Sequence, residues 1–136
     1  YALGSCMGMA IYDPVTCVGG LIHSKVPMAR HTRPEMGGGP AICTDTGTMA
    51  LLQQMFEMGV RKGRIIVCIA GCANPVKEIT CDIGGRNYTV ARKVLWKNGI
   101  LIHAEDVGGD SPRTIQLDIG SGEVTIKSRG ETIRLG

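Results

Sequence analysis

Aromatic side chains are scarce: one Trp, one Phe and three Tyr among 136 residues (Tyr1, Tyr12, Phe56, Tyr88 and Trp96). A nucleic-acid interface usually shows a basic stripe or interleaved aromatics on which bases stack. The formal charge is only +3, from 15 Lys and Arg against 12 Asp and Glu. No nucleic acid is therefore expected as a partner, while a basic patch for an acidic protein stays open. No apolar run reaches the roughly 18 residues of a membrane span, so no membrane insertion is expected. No internal repeat or low-complexity linker divides the chain. Its length suits one compact domain over residues 1–136, with a core large enough to need no disulfide staples.

Six cysteines are present: Cys6, Cys17, Cys43, Cys68, Cys72 and Cys81. Cys17 and Cys68 sit in apolar runs, where a free cysteine behaves as a small hydrophobe. A metal site recruiting Cys68, Cys72, Cys81 and a histidine lacks the two-residue gap of a zinc knuckle and a second such pair. The expectation is free thiols in a reducing cytosol. The 20 glycines fall largely in pairs at element ends, which reads as tight turns and close backbone approaches.

The chemistry concentrates at the beginning of the sequence. Leu3-Gly4-Ser5-Cys6 is followed by an apolar run over 7–12, the turn pair Asp13-Pro14, and a second strand-like run over 17–23 that ends in Gly19-Gly20-Leu21-Ile22-His23. Paired as a hairpin, these runs return Cys6 and His23 to one edge of a sheet. A thiol beside an imidazole is a better nucleophile, because the base takes its proton. Cys6 taken alone reads more readily as a buried, inert cysteine, and a lone histidine at a strand end as a structural one. Their pairing is what makes them candidates. His31, in a loop, and His103, on an apolar strand, suit the role less well.

Residues 24–41, with Pro27, Pro34, Gly37-Gly38-Gly39 and Pro40, form a long connection leaving directly from His23. Thr44 or Asp45 is placed to cap a helix carrying Leu51, Met55 and Met58 as one stripe, with Leu52 and Phe56 beside it and Gly59 at its stop. The basic turn 61–64 reads as a solvated face. Residues 65–70 read as a buried strand, 71–83 as an irregular connection, and 84–98 as a second helix with Tyr88, Ala91, Val94 and Leu95 inward. Strands follow at 100–105, 114–118 and 123–127, with an edge strand at 133–135. The fold class is α/β: a largely antiparallel sheet with two main helices.

The ordered set of motifs resembles the chemoreceptor glutamine deamidases (CheD). Leu3 to Cys6, Asp13-Pro14 and Gly19 to His23 match. So do Asp45-Thr46, Gly84-Gly85-Arg86-Asn87, Ala104-Glu105-Asp106-Val107-Gly108-Gly109 and Arg113-Thr114, so that the likeness runs over about residues 3–127. The resemblance implies a layered α/β/β sandwich similar to the catalytic domain of the cytotoxic necrotising factor toxins. It implies a cytoplasmic, cysteine-dependent protein-glutamine deamidase acting on methyl-accepting chemoreceptors, with Cys6 as nucleophile, His23 as general base and acid, and no metal or organic cofactor. It implies the CheC-type phosphatase as a second partner. The family's imidazole-orienting group is a threonine six positions before the cysteine, a place preceding Tyr1; neither Thr16 nor Ser24 is assigned that part.

One departure is Gly71-Cys72, where the family commonly has two glycines; a positive φ there would strain Cys72. Glu105 and Asp106 alternate along a strand and are not read as an acid–base pair. Gly84-Gly85 reads as a structural turn rather than an anion cradle. The competing classes are a cysteine protease, a metal site, and a binding module for chemoreceptors or CheC that keeps the scaffold without the chemistry.

Overall fold

Residues 7–13 alternate between two buried faces, and the protein is built outward from that strand. A computed structural model describes residues 3–28, 42–75 and 82–135. Strand β1 (Met7–Asp13) is buried along its whole length. It pairs antiparallel with β2 (Val18–Ser24) on one side and with β3 (Ile66–Gly71) on the other. Strand β4 (Ala104–Val107) adds to β3 in parallel, giving the order β2-β1-β3-β4. A parallel neighbour needs a crossover, which helix α2 (Ile83–Lys97) lies within. The chain ends in a three-stranded antiparallel sheet of β5 (Thr114–Leu117), β6 (Val124–Ser128) and β7 (Glu131–Leu135).

The two faces of the four-stranded sheet carry separate cores. Met7, Met9, Ile11, Val67 and Ile69 face Leu52 and Met55 of helix α1 (Thr44–Glu57) and Ala91 and Leu95 of α2. On the opposite face, Ala10, Cys68 and Ala70 meet Ile115, Val124 and Ile126 of the smaller sheet. The result is helices, sheet and sheet in sequence, an α/β arrangement with two mainly antiparallel sheets. Among the described residues no helix is long and apolar enough to cross a membrane.

Several expectations are corrected. The first helix begins at Thr44 itself, with Cys43 at its cap position and no side-chain capping bond. The Thr44 hydroxyl is unavailable for capping because it is engaged inward with Ser24 and Asn87. The buried face of α1 runs through Thr44, Thr48, Leu52 and Met55, whereas Phe56 and Met58 are exposed. Cys17 is exposed at the hairpin turn rather than packed. Arg64 is not merely solvated: its guanidinium grips both oxygens of the fully buried Asp13, at 2.9 Å from Nη2 to Oδ2 and 3.2 Å from Nε to Oδ1. The strand expected from residue 100 begins at Ala104, because residues 100–103 run as a connection fastened by a bond from the His103 N–H to the Val67 carbonyl. The helical stripe of α2 is Gly84, Asn87, Ala91 and Leu95, with a polar residue in its middle. Most of the long connection after His23, including His31, lies outside the described residues, as does Cys81.

Candidate active site

The hairpin register sets Gly8 opposite His23 and Met7 opposite Ser24. Side chains alternate along a strand, so His23 shares a face with Gly8, its partner in the register; Cys6 sits in the bend one residue before β1, at the same end of the hairpin. Cys6 is half-buried and packs against the core between the two sheets, whereas His23 is exposed on the edge strand β2. Cys6 thus stands just outside the Met7–Ser24 end of the ladder and His23 one residue inside it. Gly8, opposite His23, presents no side chain at this end. A Cβ there would come 2.7 Å from a Leu3 methyl. An open groove of about 570 Å³ begins at Leu21, one same-face step along β2 from His23, and continues over Ile115, Leu117 and Thr125.

Burial pushes the Cys6 thiol above its ordinary value, opposed by the Lys25 cation and by a bond from its own backbone N–H. The neighbouring protein atoms partly desolvate the exposed His23 ring and lower its pKa, and the same lysine adds to that effect. Both shifts act in one sense, favouring the uncharged thiol and the uncharged imidazole. Such a pair holds an acid that must be deprotonated beside a base free to do it.

The backbone around Cys6 is fixed by the end of β3. The Cys6 carbonyl accepts from the Cys72 N–H at 2.9 Å, and the Gly4 carbonyl from the Ala73 N–H at 2.9 Å. Gly71 has φ +94°, and a Cβ on it would stand 2.5 Å from the Cys6 carbonyl oxygen, so the approach requires glycine. Cys72 follows at φ +54°, the left-handed conformation foreseen as its strain. Its thiol is buried and pushed up to about 12, which leaves it unreactive. Arg113, itself buried, donates to the Gly71 and Gly108 carbonyls at 2.9 and 2.7 Å and pairs with Asp106 at 3.2 Å. Asp106 is thereby structural, and Glu105 is exposed.

Gly84 lies 2.1 Å, as a Cβ, from the Ala73 carbonyl, and the Gly85 N–H is already taken by the Asp82 carboxylate at 2.9 Å. That turn is a packing and capping device. Among the described residues no cluster of His, Cys, Asp and Glu is arranged to hold a metal ion. Cys43 and Cys68 are buried, and His103 lies at the other edge of the four-stranded sheet, just before β4.

Sequence reasoning missed Lys25, which acts on both Cys6 and His23, and the buried polar side chains Ser24, Thr44 and Asn87. A signal was present for Asn87: it falls on the inward stripe of its helix, and a polar group on such a stripe needs partners.

The family model described as CheD chemotactic sensory transduction matches residues 26–128. Curated relatives extend the match across the Cys6 and His23 region. A probable chemoreceptor glutamine deamidase CheD of Solibacter usitatus is 40% identical over 96% of this chain and 78% of its own length. A protein of the same name from Pyrococcus abyssi is 42% identical over 93% of this chain and 78% of its own length. A probable chemoreceptor glutamine deamidase CheD 1 of Syntrophus aciditrophicus is 39% identical over 98% and 84%. With the family model covering most of the sequence and relatives at this identity along nearly all of it, the chain belongs to the CheD family.

Proposed function

We propose that this protein is a cysteine-dependent deamidase that converts specific glutamines of methyl-accepting chemoreceptors to glutamate in chemotaxis. The observation that supports the reading is the hairpin register, which brings His23 to the open end of the hairpin, next to the bend that holds Cys6, in a chain of the CheD family. Cys6 is the nucleophile and His23 the general base and acid. His23 takes the Cys6 proton as Sγ attacks the carboxamide carbon, forming the S–C bond. Backbone amides at Cys6 or Met7 receive the developing oxyanion; one such donor is worth about 3 kcal/mol where measured. The C–N bond then breaks, and the His23 proton leaves on ammonia. A water activated by His23 attacks the thioester, the S–C bond breaks, and the proton returns to sulfur. The balance is glutamine plus water to glutamate plus ammonia, with no metal or organic cofactor taking part.

The groove beside Leu21 gives the polypeptide flanking the glutamine a place to lie. Cytoplasmic chemoreceptor helices are the substrate, and the CheC-type phosphatase is the second partner. The activity resides in one domain spanning 1–136, a layered sandwich akin to the cytotoxic necrotising factor catalytic domain. Incubation with a chemoreceptor cytoplasmic fragment tests the reading. Each deamidation adds about one dalton, mapped by peptide mass to glutamine side chains. Binding without a mass shift would replace the enzyme by a binding module.

A further inference from the structure

Three buried polar side chains join the two strand ends that bear Cys6 and His23. Ser24, Thr44 and Asn87 have no accessible surface. Asn87 Nδ2 donates to the Ser5 carbonyl at 2.9 Å and to the Lys25 carbonyl at 3.2 Å. The Thr44 hydroxyl donates to Asn87 Oδ1 at 3.2 Å. A hydroxyl has one proton, so in the contact of 2.7 Å between Ser24 Oγ and Thr44 Oγ1, Ser24 is the donor. The chain has one direction: Ser24 to Thr44, Thr44 to Asn87, and Asn87 to two backbone carbonyls. An amide is the side-chain group that accepts at one end and presents two N–H groups at the other. Aspartate would bring an acceptor to two carbonyls, and leucine would leave both without a donor.

The two carbonyls are specific in place. Ser5 C=O belongs to the peptide unit whose N–H is that of Cys6. In a planar trans peptide these groups point in opposite directions. Tying the oxygen to Asn87 therefore turns the Cys6 N–H away from the helix. The Ser24 hydroxyl and Lys25 C=O belong to the two residues that follow His23 at the end of the other strand. One side chain from α2 thus sets the orientation of the Cys6 peptide and the distance of the His23 strand from it.

We propose that Asn87, supported by Thr44 and Ser24, is the positioning residue of the Cys6–His23 pair, aiming the Cys6 N–H at the oxyanion and holding His23 in register. The role rests on the deamidase reading, and its test separates the two. Asn87→Ala and Asn87→Asp are compared with the parent chain and with Leu95→Ala, a buried position on the same helix that faces the helix-side core. The first readout is kcat and KM on a chemoreceptor cytoplasmic fragment, per folded molecule. The second is the pH midpoint of Cys6 alkylation by iodoacetamide, followed by peptide mass so that the exposed Cys17 is counted apart.

In both Asn87 variants kcat falls on the order of 100-fold with KM within about threefold, the pattern of a lost oxyanion donor. The alkylation midpoint moves to higher pH, because the thiolate loses its amide. Leu95→Ala moves neither. Thr44→Val follows Asn87→Ala in direction, and Thr44→Ser restores the parental values; this pair decides the matter if the Asn87 variants do not fold. Parental kcat and midpoint in folded Asn87→Ala overturn the proposal, as does an equal shift in Leu95→Ala. Absence of turnover in the parent overturns the deamidase reading instead, and the midpoint alone then decides the positioning role.

Discussion

The two ends of the β1–β2 hairpin are held by different chemistry. At the turn, the buried Asp13 carboxylate accepts from the Arg64 guanidinium and from the Val15 N–H at 2.9 Å. At the open end a neutral chain of hydroxyls and an amide ties Ser5, Ser24 and Lys25 together. The ends are separated by one strand length, roughly 20 Å. A charged clamp is strong but imposes a field on titratable groups nearby. A neutral one fixes geometry without adding a charge to the site. The end to which the proton transfers are assigned by the proposed function has the neutral clamp, and the side-chain cation acting on its thiol and imidazole is Lys25.

If the open end carries the chemistry and the turn end the stability, substitutions separate along that line. Cys6→Ala has the largest effect: turnover falls by at least about 10⁴, to background, with the thermal midpoint little changed. His23→Ala lowers kcat by about 10²–10⁴, read by the same mass assay, since it removes one general acid–base group.

At the turn, burial alone would raise Asp13, but Arg64, the Val15 N–H and Thr16 outweigh it and hold the carboxyl at about 2, below its ordinary 3.8. A depressed folded value means that the contribution is fully present above the unfolded value and is lost as pH falls through about 2. Arg64→Met should therefore lower stability to urea at about pH 5, and the further loss between about pH 5 and pH 2 should shrink relative to the parent. Turnover per folded molecule should stay at the parental level. A matching fall in kcat would break the division between the two ends.

The open end has its own pH signature. Lys25 lowers both Cys6 and His23, so Lys25→Met should raise both. The alkylation midpoint of Cys6 and the acid limb of the turnover profile should move to higher pH together. An unchanged profile would remove Lys25 from the account. The smallest effect is again at the turn. Cys17 is exposed at φ +54°, so Cys17→Gly should stabilise by about 0.5–1 kcal/mol in urea unfolding, with no change in turnover.

How far the sequence speaks for each end differs for a physical reason. The hairpin, both helices and the three runs that form the second sheet were legible from periodicity and turn residues, and so was the return of the chain to one edge beside Cys6 and at His23, because a hairpin is a local structure. Cys72 at positive φ was legible from the glycine it replaces. The clamps were not. Asp13 meets Arg64 across 51 positions and Asn87 meets Ser5 across 82, and no local pattern reports such a contact. Thr44 was misread as a helix cap for the same reason: a threonine at a helix start has a local use for its hydroxyl, and here a distant partner takes it. Phe56 and Met58 look like core by type, yet the helix turns its hydroxyl-bearing Thr44 and Thr48 inward and leaves them outside.

The measurement that bears most directly on the central claim is the rate of one-dalton conversion of a chemoreceptor cytoplasmic fragment by Cys6→Ala, beside the parent at equal folded concentration. The account predicts conversion at glutamine side chains by the parent and none above background by the variant. Conversion by Cys6→Ala at the parental rate would contradict it.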